Sequence, residues 1–140
     1  MKLLKKILIA LVVLFLLIQV VRPSHQNPPV VAPLVAPAEV LAILKESCFD
    51  CHSNESRWPW YSHVAPVSWL VSKDVDEGRE HLNFSEWGTQ DAEARRELGE
   101  EIIEAIAEGE MPLWFYTPLH PGSKVNGTEL ATLRTWATTL

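Results

Sequence analysis

The chain of 140 residues lacks several features on which common protein functions depend. It contains no internal repeat, no alternation of apolar and polar residues long enough for a sheet, no phosphate-cradling glycine loop and no Ser-His-Asp constellation. Basic residues are also few: 12 lysines and arginines stand against 18 aspartates and glutamates, so nucleic acid is a poor candidate partner. The periodic segments that remain are helical, which predicts an all-α fold.

Cysteine is scarce, and its two copies lie close together. Cys48 and Cys51 are the only cysteines, and His52 directly follows the second one, in the order Cys-Phe-Asp-Cys-His. This is the attachment signature of a c-type haem, in which two thiols add to the vinyl groups and the histidine becomes an axial iron ligand. On a helix the three residues share one face. We therefore predict one covalent haem c bound through Cys48, Cys51 and His52.

Three other interpretations of the cysteine pair compete with haem. A thioredoxin-like dithiol expects a strand-helix context, and no βαβ pattern is present. Zinc would need Cys48, Cys51 and histidines such as His52 and His63, but adjacent Cys51 and His52 would point apart around one ion, and no second CxxC or HxxxH follows. A disulfide with two intervening residues would stabilise the fold only weakly. A zinc- or disulfide-stabilised, non-haem interaction module stays open as an alternative.

The N-terminus has the composition of an export signal, which covalent haem requires because attachment takes place outside the cytoplasm. Three lysines stand among the first six residues, and residues 7–21 are apolar except for Gln19. Arg22 and Pro23 then stand where cleavage needs small residues, which favours an uncleaved anchor. We predict a transmembrane helix over residues 1–21 that crosses the cytoplasmic membrane once and leaves the haem domain on the periplasmic side.

Residues 22–37 contain five of the ten prolines, which predicts an extended, proline-rich linker. Residues 38–140 would then form one haem-binding domain. Apart from the three N-terminal lysines, 9 basic residues stand against 18 acidic ones. An acidic domain of this kind favours a redox partner protein with a basic docking patch.

Helical periodicity predicts about four helices in this domain. The first covers residues 37–47 and leads into the cysteine motif. The second covers residues 67–78, and the third covers residues 91–109 with Gly109 as its C-cap. The last runs over residues 128–140.

Met111 is the only methionine apart from the initiator, and Pro112 follows it. A thioether is a soft ligand for haem iron, so we predict that Met111 is the distal iron ligand and that Pro112 stiffens its loop. A core-filling role is the alternative, and the rival ligands are His63, His81 and His120. We expect the second ring nitrogen of His52 to donate to a backbone carbonyl, with residues 63–66 as the candidate acceptor segment.

Four segments carry a resemblance to a known family: RWPWYS at 57–62, APVSW at 65–69, GREHLNFSEW at 78–87 and GEMP at 109–112. They resemble the bacterial haem-binding domain family over nearly everything after residue 37. The order of helix, CxxCH, methionine loop and C-terminal helix is also similar to class I cytochrome c. The resemblance implies a cytochrome c-like domain whose haem c is bound through Cys48, Cys51 and His52, with Met111 by analogy as the distal ligand.

The leading functional hypothesis is a membrane-tethered, single-haem c-type cytochrome that transfers electrons and has no turnover site of its own, because His52 and Met111 would fill both axial positions. The alternative is a haem-based sensor or a peroxidase-like enzyme with an open or labile sixth position. In that case His63, His81 or Arg79 would be the distal acid-base or hydrogen-bonding residue.

Overall fold

The computed structural model describes residues 1–140 and consists of six α-helices, three short 3-10 turns and the connecting loops. The helices are α1 (Lys2–Ile18), α2 (Ala38–Ser47), α3 (Phe49–His52), α4 (Val67–His81), α5 (Ala92–Glu108) and α6 (Gly127–Ala137). No strand is present, so the predicted all-α fold is confirmed. The helices α2, α4, α5 and α6 are the four that periodicity predicts.

Helix α5 begins and ends at the residues that its sequence indicates. The side chain of Asp91 accepts a hydrogen bond from the Ala94 backbone N–H at 2.9 Å, which caps the first turn. Gly109 follows the helix with a φ of 77°, in the left-handed region that glycine adopts without strain. The chain can therefore leave α5 and turn back towards the cysteine motif.

Helix α6 begins with a capping box. The side-chain oxygen of Asn126 accepts hydrogen bonds from the N–H groups of Thr128 (2.9 Å) and Glu129 (3.0 Å), and the Glu129 carboxylate accepts the Asn126 N–H at 2.8 Å. The helix ends at Ala137 and so stops short of the predicted end at residue 140.

The hydrophobic core lies between α2, α5, α6 and the segment that follows α4. Four aromatic rings form a contiguous row through it: Phe49 to Phe84 at 5.0 Å, Phe84 to Trp87 at 6.0 Å, and Trp87 to Trp136 at 5.8 Å between ring centroids. All four side chains are buried. Because Phe49 stands between the two cysteines in sequence, this row fixes the cysteine motif to the core.

The prediction of an N-terminal transmembrane helix is wrong, because none of the helices combines the length and the apolar character needed to cross a bilayer. Helix α1 has 17 residues, which corresponds to about 26 Å at 1.5 Å per residue, against a hydrocarbon core of about 30 Å. The apolar sequence continues to Val21, but the helix ends at Ile18. The side-chain amide of Gln19 then donates to the Ala65 carbonyl at 3.1 Å and accepts the Ala65 N–H at 2.9 Å. The predicted single-pass localisation in the cytoplasmic membrane is wrong for the same reason.

The proline-rich segment 22–37 lies along the domain and does not extend away from it. The N–H groups of Val31 and Ala32 donate to the Ser85 carbonyl, and that of Leu34 donates to the Phe84 carbonyl at 2.8 Å. Leu34 is only 5% exposed and belongs to the core. The packed part of the chain therefore begins before residue 38, and we call residues 26–34 the strap.

Candidate functional site

The cysteine motif stands where α2 ends and the short helix α3 begins. The Cys48 N–H still donates to Leu44 in α2 at 2.8 Å, whereas the φ of −128° at Cys48 breaks the helix axis. The His52 N–H then donates to the Cys48 carbonyl at 2.9 Å, and the Cys51 N–H donates to the same carbonyl at 3.2 Å. This turn brings both sulfur atoms and the imidazole to one side of the domain.

A cavity opens beside the motif, and we call it the motif cavity. It has two lobes, of about 190 Å³ and 270 Å³. Both lobes are lined by Ser47, Cys48, His52, His81, Met111 and Pro112. The predicted ligands His52 and Met111 therefore border the same space, although they are far apart in sequence.

The two lobes differ in chemical character. The apolar lobe is walled by Leu82, Phe84, Leu98, Ile102, Ala105 and Ile106, which come from α5 and the segment after α4. The acidic lobe is walled by Asp50, Cys51, Asp74, Glu77, Gly78, Leu113 and Tyr116. A large apolar surface beside a polar opening is the usual composition of a cofactor pocket.

The ring of His52 is held by two backbone carbonyls of α4 and its C-cap. Nδ1 lies 2.9 Å from the Gly78 oxygen and 3.2 Å from the Leu82 oxygen. Because a carbonyl only accepts, Nδ1 carries the proton and Nε2 keeps a free lone pair. Burial also lowers the pKa of His52, against the opposing effect of these carbonyls, so the ring stays neutral. A backbone acceptor for His52 was predicted, but its placement in residues 63–66 is wrong.

Gly78 allows α4 to pack closely against the cysteine motif. A Cβ atom at this position would lie 2.9 Å from the Cys51 carbonyl oxygen and 3.3 Å from its carbonyl carbon. Both are backbone atoms that a rotamer change cannot move away. The absence of a side chain therefore lets α4 come close enough to the motif for the Gly78 carbonyl to reach His52.

The two thiols are free and protonated. Burial raises the pKa of Cys48 and Cys51 to about 12, and the neighbouring charges of Asp50 and Asp74 contribute at Cys51. No group of three or more His, Cys, Asp or Glu side chains is placed to hold a metal ion.

Met111 lies in the loop that follows α5, and we call residues 109–116 the methionine loop. Its backbone N–H donates to the Ala105 carbonyl at 3.1 Å, and the side chain is 37% exposed. Pro112 continues the wall of the cavity. The sulfur-bearing side chain and the neutral imidazole thus face a common cavity from different segments.

Of the rival histidines, only His81 lines the motif cavity. It borders both lobes, and its Nε2 lies 3.2 Å from a Glu101 carboxylate oxygen. His63 packs edge-on against His25 at 4.6 Å, and His120 stacks on Tyr116 at 3.7 Å. Both lie outside the motif cavity.

Arg79 is occupied elsewhere. Its guanidinium donates to the Ser53 carbonyl at 2.8 Å, to the Gln26 carbonyl at 3.1 Å and to the Asn27 side chain at 2.8 Å. These contacts bind the strap to the domain. Arg79 does not line the motif cavity and so does not take the distal role considered for it.

An aromatic cleft adjoins the acidic lobe on its far side. Its aromatic walls are Trp58, Trp60, Tyr61, Phe115 and Tyr116. The two spaces share Asp50, Cys51, Asp74, Leu113 and Tyr116. Aromatic residues from two distant segments therefore converge next to the second cysteine.

Asp50 and Gly78 are site residues that periodicity and motif spacing alone did not single out. The only sequence signal for Asp50 is its position as a spacer residue inside the motif, which places a carboxylate between the two thiols. The signal for Gly78 is a glycine inside an otherwise helical pattern, which often marks a close backbone approach.

The side chains around the motif cavity suit a haem. Two uncharged thiols, a neutral imidazole with a free Nε2 and a thioether border one space, and one wall of that space is apolar. These are the ligand types that proteins use for covalent haem. No comparable donor set is present for a zinc ion.

Comparison with known proteins identifies the family. A family model described as a haem-binding domain matches residues 13–139, which include the cysteine motif, the strap and the methionine loop. No curated protein and no solved structure matches the chain.

Proposed function

We propose that this chain, which belongs to the haem-binding domain family, is a single-haem c-type cytochrome that transfers electrons. The observation that carries the proposal is the convergence of Cys48, Cys51, His52 and Met111 on one cavity. The two thiols are protonated, and His52 and Met111 each have a donor atom that could bind iron.

The chain's own residues would hold the cofactor in three ways. The sulfur atoms of Cys48 and Cys51 would form the thioether links, and His52 would offer the lone pair of Nε2. Because Nδ1 of His52 is fixed by Gly78 and Leu82, the ring cannot turn away from the cavity without losing these hydrogen bonds.

Haem, when bound, supplies an iron that changes its charge by one electron and needs no bound substrate for this. The chain sets the environment of that iron. Met111 contributes a soft thioether donor, which raises the reduction potential relative to a second histidine. The apolar lobe places hydrocarbon side chains on one side of the cavity, and Asp74 and Glu77 place negative charge on the other.

The covalent link is tested on the full-length chain, produced in a host that has a c-type haem maturation system. The protein is separated on a denaturing gel and stained for haem. We expect the stain to follow the wild-type band and to be lost in the double variant Cys48→Ala/Cys51→Ala. A colourless wild-type band from a host that matures a known c-type cytochrome would refute the proposal.

The acidic surface supports a partner protein with a basic docking patch. Glu101 and Glu110 border the apolar lobe, and Asp74 and Glu77 border the acidic lobe, so negative charge surrounds the cavity. Such a field attracts cationic redox partners and repels anionic ones, and salt screens both effects.

Small inorganic reagents test this charge preference directly. The rate of reduction by hexaammineruthenium(II), a cation, should fall as ionic strength rises, whereas the rate with ferrocyanide, an anion, should increase. The matched variant Glu101→Gln should weaken both trends. Equal salt dependence for the two reagents would show that the charge around the cavity does not guide electron exchange.

A haem sensor or peroxidase-like enzyme is a second candidate, which the position of His81 favours. His81 and Met111 border both lobes, and His81 Nε2 lies 3.2 Å from a Glu101 carboxylate oxygen, so this pair would be available to a small molecule in the cavity as a proton donor or acceptor. Carbon monoxide titration of the reduced protein separates the two functions, because a firm Met111 ligand slows binding and a vacant position does not. Rapid saturation in the wild type would favour the second candidate.

A further inference from the structure

Asp50, the second spacer residue of the cysteine motif, accepts hydrogen bonds from nearby Arg57 and from Tyr116, which lies 66 positions away. Its Oδ1 accepts hydrogen bonds from the backbone N–H and the Nε of Arg57, both at 3.1 Å. Its Oδ2 accepts the Tyr116 hydroxyl at 2.8 Å. The Asp50 side chain is only 12% exposed, so these contacts replace most of its hydration.

Tyr116 belongs to the loop that carries Met111, and it is rigidly placed. Its backbone N–H donates to the Leu113 carbonyl at 2.9 Å, which closes a turn. Its ring stacks on His120 with 3.7 Å between centroids and 12° between planes. The hydroxyl that reaches Asp50 therefore sits on a side chain with little freedom to move.

The methionine loop is thus attached at two points. Near its start, the Met111 N–H donates to Ala105 in α5 at 3.1 Å. Near its end, Tyr116 donates to Asp50 in the motif. A hydrogen bond from a hydroxyl to a carboxylate is short and about twice as strong as a neutral one, so the second attachment is the stronger side-chain tie.

We infer that the Tyr116–Asp50 hydrogen bond acts as a latch that holds the methionine loop against the cysteine motif and so keeps Met111 facing His52 across the cavity. The inference rests on the proposed function and deepens it. Tyr116 and Asp50 are positioning residues here. Phe49, the other spacer, anchors the motif to the core, whereas Asp50 anchors it to the loop.

The variant Tyr116→Phe tests the latch, because it removes the hydroxyl and keeps the ring that stacks on His120. In the full-length, haem-loaded protein we expect covalent haem to be retained. Carbon monoxide should bind to the reduced form about tenfold faster, as expected for the loss of a charge-assisted hydrogen bond. The charge-transfer absorption from Met111 to oxidised iron should weaken in parallel.

Tyr61→Phe is the matched control. The Tyr61 hydroxyl lies 3.2 Å from His120 Nε2 and makes no contact with Asp50. We expect its carbon monoxide rate and its absorption spectrum to equal those of the wild type. A purely structural effect of losing a tyrosine hydroxyl would change both variants alike and would overturn the inference.

A second measurement does not depend on the haem. Hydrogen–deuterium exchange of residues 112–119 should be faster in Tyr116→Phe than in the wild type and unchanged in Tyr61→Phe. If Tyr116→Phe fails to fold, Asp50→Asn replaces it, because the amide retains an acceptor oxygen but loses the charge, and it should show a smaller increase.

The outcomes separate the latch from the proposed function. Wild-type protein without covalent haem would refute the proposed function, and the exchange comparison would still decide on the latch. Haem-loaded Tyr116→Phe with wild-type carbon monoxide binding and wild-type exchange would refute the latch alone.

Discussion

At the scale of single residues, the missing side chain of Gly78 matters as much as the side chains that line the cavity. The position serves two needs at once: its carbonyl accepts a hydrogen bond from Nδ1–H of His52, and the absence of a Cβ lets α4 approach Cys51. Any Cβ there would press on backbone atoms, so the strain cannot be relieved by a side-chain rotation.

Gly78→Ala should therefore destabilise the protein, although alanine usually favours a helix. We expect a loss of about 1–3 kcal/mol in the free energy of unfolding, measured by urea denaturation. Gly127→Ala is the control, because a Cβ at Gly127 would meet no atom within 4 Å. It should leave stability unchanged or raise it slightly. Equal stability of Gly78→Ala and the wild type would show that α4 can move away from the motif at no cost.

The half-buried thiols make a pH-dependent contribution to the stability of the haem-free chain. The pKa of Cys48 and Cys51 rises from an ordinary 9.0 to about 12 on folding, chiefly through burial. A raised pKa means that the folded state binds protons more tightly, so this contribution is complete below pH 9 and is lost as pH rises from 9 to 12.

Urea unfolding at a series of pH values should detect this loss. For the haem-free wild type, we expect the free energy of unfolding to fall above pH 9, by up to about 1.4 kcal/mol per pH unit for each thiol. The free energy of unfolding of Cys48→Ala/Cys51→Ala should depend less on pH, because this variant lacks the two thiols and shares all other titrating groups with the wild type. Parallel curves over this range would mean that the thiols are already solvated.

At the scale of secondary structure elements, the predictions that succeeded are those encoded locally. The prediction of α5 over residues 91–109 rests on apolar periodicity and on Gly109 as its C-cap, and the structure adds Asp91 as the N-cap. None of these features requires a distant partner. Cys48, Cys51 and His52 also stand within one turn of the chain, and their role in holding a haem stays a prediction. Features of this kind can be predicted from the sequence because they depend only on neighbouring residues.

The predictions that failed depend on contacts between distant segments. The end of α1 at Ile18 coincides with the two hydrogen bonds between Gln19 and Ala65, which no periodicity reveals. The acceptor of His52 was placed in residues 63–66 because that segment is close in sequence. It is Gly78, which only the packing of α4 brings near. The hydrogen bond between Asp50 and Tyr116 joins residues 66 positions apart and was missed for the same reason.

The cap of α5 offers a test at this scale, because α5 forms a wall of the apolar lobe. Asp91→Ala removes the acceptor for the Ala94 N–H and should cost about 1 kcal/mol of unfolding free energy, measured by urea denaturation. Glu104→Ala, an exposed change within the same helix, should stay within about 0.5 kcal/mol of the wild type. If both variants lose the same stability, the cap does not determine where α5 begins.

At the scale of the whole molecule, the strap makes the N-terminal part of the chain a component of the haem-binding fold. Arg79 binds Gln26 and Asn27, the Ser85 carbonyl receives two strap N–H groups, and Leu34 enters the core. The strap passes over the segment that follows α4, which also supplies Leu82 and Phe84 to the apolar lobe. Loss of the strap would therefore loosen the wall of the cavity as well as the core.

Two truncated chains would measure the contribution of the strap. A chain of residues 19–140 lacks α1, in which no residue is buried, and keeps the contacts of Gln19. It should unfold at the same urea concentration as the full chain. A chain of residues 38–140 also lacks Leu34 and the strap hydrogen bonds. It should lose several kcal/mol of unfolding free energy or fail to fold, because truncation of one buried leucine to alanine alone costs about 2–5 kcal/mol.

Leu34→Ala in the full chain is the intermediate variant, because it creates a core cavity but leaves the strap backbone in place. We expect the urea concentration at which half of the protein is unfolded to lie between those of the full chain and the chain of residues 38–140. A chain of residues 38–140 as stable as the full one would show that the strap lies on a domain that is already complete. A chain of residues 38–140 that is less stable than the full chain would place the start of the folding unit at the strap. The core would then need Leu34 to close against Phe84 and Trp87.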